Sequence, residues 1–209
     1  MISRWMAYLQ FVWGAGRDGA GHILSDTSLS AQLQASERLW MLLEGTHVLT
    51  LMLFAGTILF VDLRLLGVVL RGTPVSKVTA SVLPYTVGGF VVMVITGLAL
   101  FFANPFEYYH NVVFRLKIGF LIAAAVNIFL FHRRVQADRA VWDGAALPPV
   151  AARVSAAASL CLWIAVIVAG RYVAYDWFKC EHLTGVAAAL AQCREHDATL
   201  AWLQPEMAQ

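Results

Sequence analysis

Long apolar stretches separated by short polar segments dominate this chain. Four of them approach or exceed the roughly 20 mostly apolar residues that cross the hydrocarbon core of a membrane. They run from about Leu39 to Val61 with an extension to Leu70, between Lys77 and Glu107, from Asn104-Pro105 to about His132, and from Arg153 to about Tyr175. The pattern predicts four membrane-spanning helices.

The segments outside these spans predict smaller helices. Trp5, Leu9 and Trp13 fall on one helical face, which favours an amphipathic helix lying in the membrane interface. After the last span the pattern predicts one short helix at about Val186–Leu203. We therefore expect an all-α, up-and-down four-helix membrane bundle over 39–178, an N-terminal interfacial segment over 1–38 and a periplasmic C-terminal tail with one small helix over 179–209.

The composition supports this class of protein. Hydrophobic residues make up 60% of the chain and charged residues 13%, whereas soluble domains have about 25% charged residues. A soluble enzyme, a disordered chain and a nucleic-acid-binding protein are excluded on this ground. The net charge of +2 gives no reason to expect a polyanionic partner. The lipid bilayer is the partner that the composition indicates.

The distribution of Lys and Arg predicts the orientation, because cytoplasmic loops are enriched in them. The segments after spans one and three carry Arg64, Arg71, Lys77, Arg133, Arg134, Arg139 and Arg153. The segment between spans two and three, 104–111, carries no Lys or Arg. We expect a protein of the bacterial inner membrane with both termini in the periplasm.

Two cysteines lie in the tail, on the side predicted to be periplasmic. That compartment is oxidising, so we expect a disulfide between Cys180 and Cys193. An alternative stays open, because Cys180, His182, Cys193 and His196 also form a pattern that suits zinc or copper. No C-x-x-C-H sequence occurs, which excludes covalently attached c-type haem.

Ionisable residues near the spans are the candidate functional residues, since the membrane tolerates few of them without a role. They are Glu44, His47, His110, Arg115, Lys117 and Arg171, all predicted in the outer half of the bundle. His47 on span one and His110 on span three would lie on diagonal helices, where both could bind the iron of one b-type haem. The cations would then attract an anionic group such as a haem propionate, a lipid phosphate or a quinone head group. The alternatives are a solvated His110, a His47 that only bonds a neighbouring helix, and cations that reach lipid phosphates.

Several short sequences resemble an uncharacterised bacterial membrane family. They are Glu44-Gly-Thr-His47, Phe54-Ala-Gly56-Thr, Val61-Asp62-Leu-Arg64-Leu-Leu-Gly67, Phe114-Arg115-Leu-Lys117, Phe131-His132-Arg133 and Ala169-Gly170-Arg171. The resemblance covers about 38–175 and is distantly similar to CopD-like copper-resistance domains and to cytochrome-b-type bundles. It implies a four-helix bundle with metal or haem at the outer face.

Two function classes and a third, structural one follow. The first is a haem-b-binding electron-transfer subunit that exchanges electrons with a periplasmic redox protein or a quinone. The second is a copper-handling protein that uses the same histidines, with Met41 and Met52 nearby. The third is a non-catalytic subunit that anchors a larger complex. The sequence shows no nucleophile–base pair, phosphate loop or dinucleotide fingerprint, and it leaves open whether the chain forms a homo-oligomer.

Overall fold

A computed structural model describes residues 1–135 and 139–207. Within these ranges the helices are α1 (Ile2–Ala7), α2 (Leu29–Ala35), α3 (Glu37–Leu65), α4 (Val75–Ala103), α5 (Pro105–Tyr109), α6 (Val112–Arg134), α7 (Arg139–Trp142), α8 (Val150–Val173), α9 (Gly185–Ala191) and α10 (Cys193–Leu203). A π-helical turn covers Tyr8–Val12, and 3-10 turns cover Ser25–Thr27, Asp176–Phe178, Cys180–His182 and Gln204–Glu206. Strands β1 (Gly16–Arg17) and β2 (Ile23–Leu24) form an antiparallel hairpin.

The four predicted spans correspond to α3, α4, α6 and α8. These helices contain 29, 29, 23 and 24 residues and are apolar enough to cross a membrane. At about 1.5 Å per residue, even α6 is about 35 Å long, which exceeds the ~30 Å hydrocarbon core. Large apolar side chains along them, such as Leu49 and Ile164, are exposed in the isolated chain, as lipid-facing residues would be. The predicted all-α four-helix membrane fold is confirmed.

The third span differs from its prediction at its start. The helix that begins at Pro105 ends after five residues, and α6 begins separately at Val112. The cause is Asn111, whose side-chain oxygen accepts hydrogen bonds from the backbone N–H groups of Val113 and Phe114 and so starts a new helix. His110 therefore lies in the connection between two helices.

The C-terminal tail also differs, because it contains two helices where the sequence predicts one. Gln192 has a left-handed backbone conformation, with φ of 58°, and this residue separates α9 from α10. A residue in this conformation cannot continue an α-helix, so the helix ends there. Cys193 follows as the first residue of α10.

The residue contacts divide the chain into two compact units. Unit 1 consists of Met1–His47, Val94–Arg115 and Gly170–Gln209. Unit 2 consists of Val48–Met93 and Leu116–Ala169. These contacts group residues from distant parts of the chain, so they do not test the three segments predicted from the sequence. That division stays a prediction.

Unit 2 contains the core of the membrane helices. One buried cluster contains Phe54, Met93, Ala124, Trp163 and Val166, and a second contains Leu65, Val75, Trp142, Ala152 and Ala156. Between α6 and α8, Asn127 and Ser155 satisfy each other. The Asn127 amide donates to the Ser155 carbonyl oxygen, and the Ser155 hydroxyl donates to the Asn127 side chain. Small polar pairs of this kind join helices inside a membrane.

Arg64 holds connecting segments in place at one end of unit 2. The sequence places it in a loop, but it lies in the last turn of α3 and is completely buried. Its guanidinium donates to the carbonyl oxygens of Thr73 at 2.8 Å and Ala145 at 3.0 Å. A buried cation must be hydrogen-bonded, and here the connections after α3 and after α7 supply the acceptors. Arg64 thus fixes two connecting segments against the end of α3.

Candidate functional site

His110 lies at the centre of a buried polar cluster in unit 1. Its Nδ1 lies 3.0 Å from the carbonyl oxygen of Ala191, and its Nε2 lies 2.9 Å from the hydroxyl of Ser3. The Ser3 hydroxyl lies 2.8 Å from the hydroxyl of Thr199. A carbonyl oxygen only accepts, so Nδ1 carries the ring hydrogen and Nε2 accepts from Ser3. Thr199 must then donate to Ser3, and every group in the cluster has a partner.

This cluster holds distant segments of unit 1 together. Ser3 belongs to α1 and Ala191 to α9, and both bond the histidine between α5 and α6. Thr199 of α10 joins the cluster through Ser3. Burial lowers the pKa of His110, which keeps the ring in the neutral form that this hydrogen-bond pattern requires. Because both ring nitrogens are engaged and only 2% of the residue is exposed, His110 has no nitrogen left to bind iron or copper. Its predicted role as a ligand would require the cluster to open.

A second histidine, His196, which the sequence suggests only as a zinc or copper ligand, packs edge-to-face against His110. The ring of His196 lies 5.2 Å from that of His110 and 4.9 Å from that of Phe106. Its Nε2 lies 3.8 Å from Glu107, and its Nδ1 lies 2.9 Å from Asp197. The interaction with Glu107 raises the pKa of His196, and the same interaction lowers the pKa of Glu107. The pair forms a charged link between α5 and α10.

Arg115 also has a structural partner for each part of its guanidinium. Its Nε donates to the carbonyl oxygen of Tyr109 at 2.8 Å, and its Nη1 donates to that of Leu190 at 2.9 Å. Its Nη2 donates to the side-chain oxygen of Gln192 at 2.8 Å. The carbonyl groups at the ends of α5 and α9 lack partners within their helices, and a cation there is favourable. Arg115 thus joins His110 around the α9–α10 connection.

His47 lies on α3, where the sequence predicts it. A hydrogen bond of 3.1 Å joins its Nδ1 to the hydroxyl of Thr96 on α4. The next residue on α4 is Gly97, and a Cβ atom there would lie only 2.9 Å from the His47 ring. The absence of a side chain at position 97 is therefore what lets the imidazole lie against α4. This arrangement fixes the orientation of the ring through Nδ1.

The remaining predicted residues are more dispersed. Glu44 is exposed on α3. Arg171 is exposed at the end of α8, with its guanidinium 5.1 Å from the centre of the Tyr175 ring. Lys117 is half-buried and belongs to unit 2. The structure thus brings His110 and Arg115 to one place, and His47 retains an environment of its own.

The structure joins Cys180 and Cys193 by a disulfide, the predicted pair. The bond uses both thiols that the alternative zinc or copper pattern requires. Among the described residues, no group of three or more His, Cys, Asp or Glu side chains is arranged to hold a metal ion.

Unit 2 contains a cavity that the sequence analysis did not predict. Its volume is about 420 Å³, within the usual range for small-molecule sites, and its walls are mainly apolar. Asp62 lines it and is only 6% exposed. Among the described residues, the Oδ2 atom of Asp62 has no hydrogen-bond partner. A buried carboxyl oxygen without a partner is costly unless something else satisfies it.

The sequence contained a signal for this site. Asp62 directly follows the uncharged run of the first span and lies in the extension of that span to Leu70. Helix α3 continues to Leu65, so Asp62 and Arg64 lie inside the helix. If the helical spacing of apolar residues is followed from Val61 to Leu65, the two charged residues are predicted to lie on a packed helix.

Four apolar helices with a buried acidic residue define an integral membrane protein of the four-helix class. The chain belongs to a family of unknown function, DUF6644, whose model matches residues 41–176. The match agrees closely with the range over which the sequence resembles an uncharacterised family. No curated protein and no solved structure matches the chain. The distant similarity to CopD-like and cytochrome-b-type domains stays a prediction.

Proposed function

We propose that this protein is an electron-transfer subunit of the bacterial inner membrane that holds one b-type haem through His47. Electrons would be exchanged with a periplasmic redox protein or a quinone, and both termini would be periplasmic. The observation that carries the proposal is the fixed imidazole of His47 on a membrane-spanning helix. His110 is not a ligand in the proposed haem site, because both of its ring nitrogens are hydrogen-bonded within unit 1.

The environment of His47 fits a metal-binding imidazole. Histidines that bind metals commonly use their second ring nitrogen in a hydrogen bond, which fixes the tautomer and the direction of the ring. Thr96 supplies a bond of this kind to Nδ1 of His47. Gly97 admits the ring at a place that any side chain would obstruct. The two neighbouring residues of α4 therefore preorganise His47.

The haem would supply an iron that changes between Fe²⁺ and Fe³⁺ and so carries one electron. The protein would contribute the orientation of His47 and the apolar surroundings of α3 and α4. With a single histidine ligand, we expect a high-spin spectrum.

The visible spectrum of the full-length protein, purified from haem-replete cells, tests this proposal. We expect a Soret band that His47→Ala removes. His22→Ala is the matched control, because His22 lies in the exposed β1–β2 hairpin. His110→Ala should lower stability while leaving the Soret band of the folded protein in place. A colourless wild-type protein would overturn the proposal, and a folded His110→Ala protein without haem would overturn the one-histidine site.

Metal analysis of the same samples separates the rival functions. Copper in a one-to-one ratio, lost in His47→Ala, would support the copper-handling function in place of haem. If the samples contain neither haem nor metal, the anchoring subunit is the remaining function class.

A further inference from the structure

The cavity of unit 2 contains two buried polar groups that require a partner. The Oδ2 atom of Asp62 needs a hydrogen-bond donor if the carboxyl is ionised, and an acceptor if it is protonated there. The Nη2 atom of Arg139, which also lines the cavity, is a buried donor with no acceptor among the described residues. Asn127 and Ser155 also line the cavity, but they satisfy each other. A ligand is thus needed that both donates and accepts hydrogen bonds.

The walls indicate the rest of the ligand. Phe54, Phe90 and Phe131 line the cavity together with Trp142, and aliphatic residues supply most of the remaining surface. Aromatic side chains favour contact with a flat ring through offset or edge-to-face packing. The helices around the cavity are membrane-spanning, so a ligand can enter from the lipid phase only if it is itself largely apolar and neutral.

These requirements exclude other common membrane molecules. An ionised fatty acid or a phosphate group would only accept hydrogen bonds and would place its negative charge beside Asp62. A hydrocarbon chain would leave both polar groups without partners. A hydroxylated ring satisfies all conditions, since a hydroxyl donates or accepts according to the state of the carboxyl.

We infer that this cavity binds a quinol of the membrane, with one ring hydroxyl hydrogen-bonded to Asp62 and another ring oxygen accepting from Arg139. Ser159 lines the same cavity as Asp62. The site lies in unit 2, whereas His47 lies in unit 1. It gives the quinone partner of the proposed function a location, but quinol binding does not require haem at His47.

Calorimetric titration of the full-length protein in phospholipid nanodiscs with decylubiquinol, under anaerobic conditions, tests this inference. Empty nanodiscs correct for partition into lipid. We expect saturable binding that Asp62→Asn weakens by about tenfold or more, the loss expected for a hydrogen bond to a charged group. Asp26→Asn, the same change at an exposed residue, should bind as the wild type does. Palmitate should not compete.

A second variant tests the cavity without touching the acid. Val82 lines the cavity, and Val82→Phe should fill part of it and abolish binding. If Asp62→Asn does not fold, this variant alone decides the outcome. Binding unchanged by Val82→Phe, effective competition by palmitate, or absence of quinol binding in the folded wild type would each overturn the inference. His47→Ala should retain quinol binding, which separates failure of this site from failure of the haem proposal.

Discussion

Ser3 donates a hydrogen bond to Nε2 of His110 over a distance of 2.9 Å, although 107 positions separate the two residues. Both side chains are buried, and the bond connects the first helix of the chain to the connection between α5 and α6. A bond between such distant segments forms only when unit 1 is folded. The sequence suggests His110 as a haem ligand. The burial of this histidine is instead explained by the hydrogen bonds that it makes when unit 1 folds.

Ser3→Ala should destabilise unit 1. The change leaves Nε2 of His110 buried without a donor, at a cost of about 1–3 kcal/mol. Thr199→Val should also destabilise unit 1, but by less. In this variant the hydroxyl oxygen of Ser3 loses the hydrogen bond from Thr199, whereas the bond from Ser3 to His110 remains. Thermal unfolding of the purified protein measures both effects. Ser36→Ala is the control at an exposed serine, and an equal loss of stability in that variant would contradict the assigned role of Ser3.

The His196–Glu107 pair should make stability depend on pH. The pKa of His196 is raised, so its contribution is complete below the unfolded value of 6.5 and is lost as pH rises through the folded pKa. The pKa of Glu107 is lowered, so its contribution is present above the unfolded value of 4.5 and is lost as pH falls through the folded pKa. The two conditions overlap between about pH 4.5 and 6.5.

The difference in melting temperature between the wild type and Glu107→Gln measures this contribution directly. We expect the wild type to be more stable by about 1 kcal/mol in the overlapping range, with the difference decreasing on both sides of it. Burial lowers the pKa of His110 and favours its neutral form in both proteins, so this effect largely cancels in the comparison. A difference that does not change with pH would show that the pair is not charged.

The Cys180–Cys193 disulfide should stabilise the tail. The cysteines are 13 positions apart, and closing a loop of about that size contributes about 3 kcal/mol. Cys180→Ser should lower the melting temperature, and treatment of the wild type with a reductant should have the same effect. Cys161→Ser is the control, since Cys161 is exposed and unpaired. Free thiols at both tail positions in protein isolated without reductant would contradict the pairing.

The sequence predicts the membrane helices well because about 20 successive apolar residues have few alternatives to a spanning helix. It predicts the breaks poorly. Asn111 and Gln192 end or begin helices through a local cap and a left-handed backbone, and hydrophobic periodicity does not report either feature. The cysteine pair could be proposed from its compartment alone.

The polar interactions could not be predicted, because they depend on which distant segments meet. The sequence identifies His110 and Arg115 as residues that need an explanation but does not show that Ser3 and the α9–α10 connection provide it. The reverse holds for Asp62, which lies in the predicted extension of the first span and is not among the candidate residues that the sequence suggests. Only the length of α3 reveals it as a buried group in a cavity.

The orientation predicted from Lys and Arg can be tested by labelling single cysteines in a Cys161→Ser background. Val141→Cys should react with a membrane-impermeant maleimide only after the cells are opened, because its segment is predicted to be cytoplasmic. Val186→Cys should react in intact cells. Both positions are exposed, at 88% and 77%, so access to the reagent depends on the side of the membrane. The opposite labelling pattern would reverse the orientation.

Gly97→Ala should disturb His47 specifically. The new methyl group would lie 2.9 Å from the imidazole, which is too close, so the ring must move away from Thr96. If His47 binds haem, the Soret band should shift or decrease in intensity. Gly88→Ala is the matched control on the same helix, since a Cβ there would meet nothing within 4 Å. Because Ala favours helix by about 1 kcal/mol over Gly, Gly88→Ala should leave the helix at least as stable. Identical haem content and identical spectra in the two variants would show that contact with Gly97 does not position the haem ligand.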